Sequence, residues 1–323
     1  MDLTRRRLLA AAFSIAALAT GHAEGVYPSQ PVRLIVPYVP GGLPDTVARI
    51  VAKRLTQDLG QSFVVDNRPG AAGAIAAVAL AQAPADGYTF MVTDGAMLAI
   101  PPFVTPKPSF NAQKDFVTVS VIGTAPLYLA VHPKINVSTL DELVALAKAK
   151  PGVLTYGSSG LGSIHHLTAE AMKAGLGVNI THVPFRGSGQ SVPAMIGGQV
   201  DMIFASPPSL MGFVKNGQAR LIAINSARRS PQTPNVPALS EKIPGFDFAF
   251  NVVVLAKPGT PQAVVDKVNA EIAKIVKMPE VVEQLQTAGV DPVGSGVPQS
   301  AKALQAELQR IAAAAQHAGL KPE

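Results

Sequence analysis

The chain of 323 residues contains no cysteine and no tryptophan, and aromatic residues make up only 5% of it. Without cysteine the protein has no disulfide, no thiol nucleophile and no zinc site built on thiolates. Charged residues are also few, at 15%, against 48% hydrophobic residues. This balance is typical of a chain that folds around a core, and the length is enough for one large or two ordinary domains.

Basic residues exceed acidic ones by six, but after the N-terminal segment they do not cluster with aromatic residues. The sequence therefore gives no indication of nucleic-acid binding. His165 and His166 are adjacent, and adjacent helical positions point about 100° apart. We expect them not to share a metal ion, and we expect His166 to form a hydrogen bond at the base of its helix.

The first 23 residues have the pattern of an export signal. The basic residues Arg5–Arg7 precede an apolar run over Leu8–Ala19, and small residues before and at Ala23 provide a cleavage point. The run is shorter than the roughly 20 apolar residues that span a bilayer. We predict a signal peptide over 1–23, of the Sec or the twin-arginine type, and a mature protein free in the periplasm.

Strand-like and helix-like patterns alternate along the rest of the chain. Short apolar runs occur at Val32–Pro37, Ser62–Val65, Tyr88–Thr93, Leu127–Val131, Val153–Tyr156, Ile180–Val183, Met202–Ala205, Ala219–Asn225 and Val252–Ala256. Helical stripes lie between many of them, and Gly60 is placed to end the first helix. This alternation predicts an α/β fold with largely parallel sheets, in which ligands bind at the carboxyl ends of strands.

The stretch Leu34–Asp45 changes from a strand pattern to a helix pattern through Gly41 and Gly42. A helix that begins there leaves backbone N–H groups without partners at the positive end of its dipole. Such a turn binds an anion without a charged side chain. We expect Asp45 to be the N-cap of this helix. The alternative is an ordinary capped loop, and the Gly-Lys-Ser/Thr ending of a P-loop is absent.

A second turn of the same kind, Gly157–Ser163, lies in the other half of the chain. Ser158, Ser159 and Ser163 add hydroxyl donors to it. The hydrolase pattern G-x-S-x-G fails here because the fifth residue is Leu161. Either the two turns face each other and clamp a small acid, or the second only caps its own helix.

Three other positions are candidates for ligand contacts. Arg68 and Arg186 each follow a strand-like run, and either could bind a carboxylate or form a structural ion pair. Asp94 fits a ligand amine or an ordinary Asp-Gly turn. No paired carboxylates, Ser-His-Asp set or group of metal ligands assembles from these residues, which favours binding over catalysis.

Short motifs in a fixed order cover nearly the whole mature chain. They are Tyr27–Pro37, Pro40–Gly42 with Asp45, Asn67–Gly70, Asp86–Tyr88, Tyr156–Gly160 with His166 and Leu167, His182–Gly187, Gly198–Asp201, Arg228–Pro237 and Pro258–Pro261. In this order they resemble the Bug receptors, the extracytoplasmic solute-binding proteins of tripartite tricarboxylate transporters.

The resemblance implies a type II periplasmic-binding-protein fold, with two α/β domains that close on a central ligand cleft. We expect domain I over 24–124 and 251–323, and domain II over 125–250. The resemblance also implies a periplasmic receptor for a small organic acid, which delivers it to a membrane permease of one large and one small subunit. We expect a monomer without cofactor or metal, and not an enzyme.

In the family one carboxylate is held at the first glycine turn by backbone groups and waters, and the far end of the ligand meets the loops of the second domain. The candidate ligand-binding residues are therefore Tyr38, Val39, Pro40, Gly41, Gly42, Leu43, Asp45, Ala74, Thr93, Asp94, Ser158, Ser159, Gly160, Ser163, His166, Phe185, Arg186, Gly187, Ala205 and Ser206.

The chain departs from the family pattern in ways that bear on the ligand. Leu43 and Pro44 stand where a small hydroxylated residue is common, and Ala74 replaces an asparagine. The usual tryptophan before Pro258 is missing, with Asn251 near its place. A pocket of this kind suits an acid with an apolar or aromatic body better than citrate. The alternative function is a sensor that presents its ligand to a membrane histidine kinase.

Overall fold

The computed structural model describes residues 27–104, 107–185 and 187–317. The predicted signal peptide and Arg186 lie outside the described residues. The strands are β1 (Val32–Val36), β2 (Phe63–Asn67), β3 (Thr89–Asp94), β4 (Val117–Ala125), β5 (Tyr128–Val131), β6 (Thr155–Ser158), β7 (Thr181–Pro184), β8 (Met202–Ala205), β9 (Arg220–Ile224), β10 (Phe250–Ala256) and β11 (Asp291–Pro292).

The described α-helices connect these strands. They are α1 (Leu43–Leu59), α2 (Ala74–Gln82), α3 (Gly95–Ala99), α4 (Pro101–Val104), α5 (Leu140–Ala149), α6 (Ile164–Leu176), α7 (Ser188–Ile196), α8 (Pro207–Lys215), α9 (Gln262–Ile275), α10 (Pro279–Thr287) and α11 (Val297–His317). None of them is both long enough and apolar enough to cross a membrane.

The strands form two mixed sheets, which confirms the α/β prediction. The first has the order β11-β4-β10-β3-β1-β2, and the second has the order β7-β6-β8-β5-β9. The sheets are less parallel than expected, because β10 runs antiparallel to β3 and β4, and β5 runs antiparallel to β8 and β9. The direction of a strand depends on how the chain crosses between the sheets, which local patterns do not encode.

The chain passes from the first sheet to the second between Ala125 and Tyr128, and it returns between Ile224 and Phe250. Strand β10 is buried along its whole length, because it pairs on both sides and is covered on both faces. Such a strand reads as a continuous apolar run, as the sequence predicts. The sequence interpretation missed β4, although Val117, Val119 and Val121 alternate with polar residues there.

Helix α1 packs its apolar stripe onto the first sheet and ends at Gly60, as predicted. Gly60 adopts the left-handed conformation with φ of 71°, and its N–H donates to the carbonyl of Thr56. Because this conformation strains residues with a Cβ, glycine is the residue that ends a helix here at least cost. The helix begins at Leu43, shortly after the end of β1 at Val36.

Candidate functional site

A cleft of about 1060 Å³ opens between the two sheets, where strands of each sheet turn into helices. The first-sheet side of its lining includes Asp94 and the consecutive residues 38–43. The second-sheet side includes Ser159, Ser163, Gly187 and Ser206. The two glycine turns of the sequence therefore contribute to one cavity.

Hydrogen bonds to the Asp45 side chain stabilise the first turn, Val39–Gly42. The Asp45 carboxylate accepts hydrogen bonds from the Gly41 N–H at 2.9 Å, the Arg49 Nε at 3.0 Å and the Asn67 amide at 2.8 Å. Burial alone would raise the pKa of Asp45, but these bonds outweigh it and lower that pKa below its usual value. The sequence interpretation expected Asp45 to be the N-cap of α1, and this prediction is wrong. The cap is Gly42, since the helix begins at the next residue.

The start of α1 supplies the backbone donors that remain for an anion. Helix geometry leaves the N–H groups of Leu43 and Asp45 without an intrahelical acceptor, and neither donates to another described residue, but of the two only Leu43 lines the cleft. Pro44 between them has no N–H. The Gly41 N–H donates to Asp45, so the backbone donor that the start of α1 leaves for an anion in the cleft is the Leu43 N–H.

The floor of the cleft is formed by Tyr38 and Asp94. One oxygen of Asp94 accepts the Met97 N–H at 2.8 Å and so caps α3, and the other accepts the Tyr38 hydroxyl. Burial raises the pKa of Asp94, although these hydrogen bonds partly oppose the shift. Burial and the neighbouring Asp94 raise the pKa of Tyr38 well above its usual value. The capping role accounts for Asp94 without a ligand amine.

A second buried carboxyl group, Glu307 of α11, lies behind Asp94. It sits directly over Gly95, where a Cβ would lie 2.3 Å from the carboxyl carbon of Glu307. Asn251 donates its side-chain amide to this group at 2.7 Å and its backbone N–H at 3.2 Å. Burial, with a smaller contribution from Asp94, raises the pKa of Glu307 to about 8. The sequence interpretation did not single out this residue.

The second turn, Gly157–Ser163, is also committed to local bonds. Ser163 is the N-cap of α6: its hydroxyl accepts the His166 N–H at 3.3 Å and donates to the Gly160 carbonyl at 2.7 Å. Ser159 bonds to the hydroxyl of Ser188 at 2.9 Å, which links the second turn to the start of α7. The Ser163 hydroxyl therefore stabilises the wall of the cleft, because it already accepts one local hydrogen bond and donates another.

A stack of three rings supports this turn from behind. The His182 ring lies 4.7 Å from Tyr156 on one side and 4.3 Å from His166 on the other. His182 Nε2 bonds to the Ser158 hydroxyl at 2.7 Å, and His166 Nδ1 accepts the Gly162 N–H at 3.1 Å. Burial lowers the pKa of both histidines, that of His182 to about 4. The expected hydrogen bond of His166 at the base of its helix is confirmed.

His165, not His166, lines the cleft. The two side chains point about 100° apart on the helix, so one faces the ring stack and the other the cavity. Burial lowers the pKa of His165 to about 4, which keeps the imidazole neutral near pH 7. Its Nδ1 atom is buried and has no hydrogen-bond partner among the described residues.

The cleft brings together about half of the candidate residues. Those that line it are Tyr38, Val39, Pro40, Gly41, Gly42, Leu43, Asp94, Ser159, Ser163, Gly187 and Ser206. Those that lie outside its lining are Asp45, Ala74, Thr93, Ser158, Gly160, His166, Phe185 and Ala205. Arg68 is paired with Asp66 at 3.0 Å, which is the structural alternative considered above.

Several lining residues were missed by the sequence interpretation. They are mostly apolar or lie one turn beyond a motif, and they include Thr46, Met97, Ile100, His165, Ser209 and Phe250. Among the described lining residues there is no lysine and no arginine. Within the described parts of the chain, no group of three His, Asp or Glu side chains could hold a metal ion.

Known proteins resemble this chain in sequence over nearly its whole length. Residues 47–320 match the family described as the tripartite tricarboxylate transporter family receptor. The protein BugT of Bordetella pertussis is 34% identical over 324 residues, covering 99% of both chains. A protein encoded in the tcbD–tcbE intergenic region of Pseudomonas sp. strain P51 is 34% identical over 313 residues, covering 96% of this chain and 93% of its own.

Solved structures agree with the sequence relatives. Rpa4515 of R. palustris, solved with adipate, is 34% identical with a TM-score of 0.82, and the match covers 92% of this chain and 100% of that one. MatC of Rhodopseudomonas palustris, solved with bound malate, is 27% identical with a TM-score of 0.75, covering 90% and 100%. With its two mixed sheets, its central cleft and these matches, the chain belongs to the tripartite tricarboxylate transporter receptors, the family that includes the Bug proteins.

Proposed function

We propose that this protein captures a small organic acid with an apolar body in the periplasm and delivers it to a tripartite transporter. The observation that carries the proposal is that both glycine turns line one cleft. The start of α1 offers the Leu43 N–H to one carboxylate, and α6 and the serines provide polar groups on the opposite wall. Backbone donors at a helix start favour an anion through hydrogen bonds and the helix dipole.

The body of the ligand is expected to be apolar because several residues that line the cleft are apolar. Leu43, Met97, Ile100 and Phe250 all line the cleft and offer no hydrogen-bonding side chain. The adipate complex of a protein that is 34% identical supports an acid of this kind. Citrate, with a hydroxyl and three carboxylates on a short skeleton, would place charge against these side chains without a partner.

The two sheets suggest how the acid is enclosed. We assign domain I to 24–124 and 251–323 and domain II to 125–250, so that each domain carries one wall of the cleft. A ligand that contacts both walls binds the closed arrangement better than the open one and so shifts the population toward closure. The closed form is then the one that the permease recognises.

The remaining features of the proposal concern the cell. We propose export through a signal peptide over 1–23, a monomeric receptor and a permease of one large and one small subunit. Disruption of the gene is expected to abolish uptake of the ligand. A sensor would instead leave uptake intact and abolish an induced response, so the two outcomes separate the proposal from the alternative of kinase signalling.

The binding proposal is tested by calorimetry with the purified mature protein. The panel contains adipate, hexanoate, benzoate and citrate, and native mass spectrometry identifies any acid retained during purification. We expect binding of at least one acid with an apolar body and weaker binding of citrate. Tight binding of citrate without binding of the other acids would contradict the apolar pocket, and no binding of any acid would contradict the receptor function for this class.

A further inference from the structure

The cleft contains one imidazole whose hydrogen-bonding capacity the protein leaves unused. His165 is the second residue of α6 and lines the cavity between the two walls. His166 differs in every respect, because its Nδ1 accepts the Gly162 N–H and its ring stacks on His182. Buried polar atoms without partners are uncommon, and the unpartnered Nδ1 of His165 bears on which ring nitrogen carries the proton.

The charge state of His165 follows from its surroundings. An imidazolium would need acceptors for two N–H groups, and the buried Nδ1 has none among the described residues. Burial accordingly lowers the pKa of His165 to about 4. The positive end of the α6 dipole also disfavours a cation at this position. The side chain is thus a neutral imidazole at the pH of the periplasm.

A neutral imidazole carries one ring proton, which is bound either to Nδ1 or to Nε2. An orphaned buried N–H costs more than an unused lone pair, so Nδ1 is the poorer place for the proton. The residue as a whole is partly exposed and lines the cleft although Nδ1 is buried, so we assign Nε2 as the nitrogen that a molecule in the cleft can approach. His165 therefore presents an uncharged N–H donor to the cleft.

Building on the function proposed above, we propose that His165 determines specificity by selecting acids that carry a second hydrogen-bond acceptor at their far end. The first carboxylate occupies the start of α1, and His165 donates Nε2–H to a carboxylate, carbonyl or hydroxyl oxygen on the opposite side. The apolar side chains that line the same cleft fit the middle of the molecule. The preferred class is an acid with an apolar middle and an acceptor at each end, rather than a simple monoacid.

The test compares adipate with hexanoate, two acids of equal chain length that differ in the second carboxylate. Calorimetry is carried out on the wild type and on H165L, H165Q and I164V. We expect H165L to lose about tenfold or more in affinity for adipate, the effect of one hydrogen bond to a charged group, and at most about twofold for hexanoate. H165Q retains an amide N–H donor and is expected to recover part of the adipate affinity.

I164V is the matched control, since Ile164 precedes His165 in the same wall and offers only apolar contact. It should affect both acids alike, and the melting temperature without ligand shows whether each variant remains folded. Equal losses for both acids in H165L, or an unchanged affinity for adipate, would overturn the role of His165 alone. A wild type that binds hexanoate better than adipate would also overturn it. Failure of the wild type to bind any acid would instead overturn the receptor function itself.

Discussion

At the scale of single residues, two serines of the second turn differ in the hydrogen bonds that they form. Ser163 makes two local bonds as the N-cap of α6, whereas Ser159 bonds only to Ser188. Sequence alone made both serines equal candidates for ligand donors. The structure distinguishes them, because a hydroxyl that already accepts and donates within a helix cap contributes first to stability.

We expect S163A to lower the free energy of unfolding by about 1 kcal/mol, the usual cost of removing an N-cap. S159A is the matched variant, and it should leave stability within about 0.5 kcal/mol of the wild type. Urea unfolding of the two variants without ligand checks this. Equal stability of S163A and S159A would show that the cap is not energetically important.

The buried carboxyl group of Glu307 predicts a pH dependence. Its pKa is raised from the ordinary value near 4.5 to about 8, so the folded state holds a proton that the unfolded state releases. The resulting stability is complete below about pH 4.5 and is lost as the pH rises through about 8, at up to about 1.4 kcal/mol per pH unit. Asp94 shifts in the same direction and adds to the loss.

E307Q removes the ionisation and keeps the shape of the protonated side chain. We expect its stability to fall less than that of the wild type between about pH 5 and pH 9, and to exceed it at the alkaline end. Unfolding by urea at several pH values measures the difference. Parallel pH profiles for the two proteins would show that Glu307 is ionised in the native state.

At the scale of elements, two glycines on helices have opposite roles. Gly60 ends α1 in the left-handed conformation, whereas Gly212 lies inside α8 with no atom near the place of a Cβ. A side chain at Gly60 is strained by the backbone, while one at Gly212 improves helix propensity at no steric cost.

We therefore expect G60A to lower the free energy of unfolding by about 1 kcal/mol and G212A to raise it by about 0.5–1 kcal/mol. Thermal unfolding of the two single variants provides the comparison, and each serves as the control for the other. A change of the same sign in both would contradict the conformational argument.

Some secondary-structure elements can be predicted from the sequence and others cannot. Buried strands such as β1, β3 and β10 follow from continuous apolar runs, and the end of α1 follows from Gly60. The short β11 has no such pattern, and the direction of β10 depends on its crossover.

The candidate site was predictable where backbone geometry decides it and not where side-chain direction does. The glycine turns were identified from sequence because glycines stand where a strand-like pattern changes to a helix-like one. His165 was missed because one helical position separates the cavity from the ring stack. The apolar lining residues carry no motif at all, and only the assembled sheets bring Phe250 next to Met97 in the same cavity.

At the scale of the whole molecule, two exposed apolar side chains mark the edges of the cleft. Val39 is 62% exposed on the first turn and Leu161 is 57% exposed on the second, and both line the cavity. We expect the closure proposed above to remove both side chains from water. Their burial then adds to the affinity for any acid, whatever its far end.

We expect V39S and L161S each to weaken the binding of every acid by about threefold to tenfold, since each loses buried apolar carbon at about 0.8 kcal/mol per methylene. V153S is the matched control, because Val153 is 65% exposed and does not line the cleft. Calorimetry with adipate and hexanoate measures all three. A similar loss in V153S would mean that the effect is unrelated to closure.

The C-terminal helix α11 packs against β4 and α3 on the first-sheet side and also against α6 on the second. Glu307 anchors it to Asn251, and Arg310 donates to the Asp247 carbonyl at 3.0 Å. A free hinge would leave the two halves joined only by crossing strands. Here one long helix rests on both, so any movement of one sheet relative to the other would have to shift or break the contact between α6 and α11.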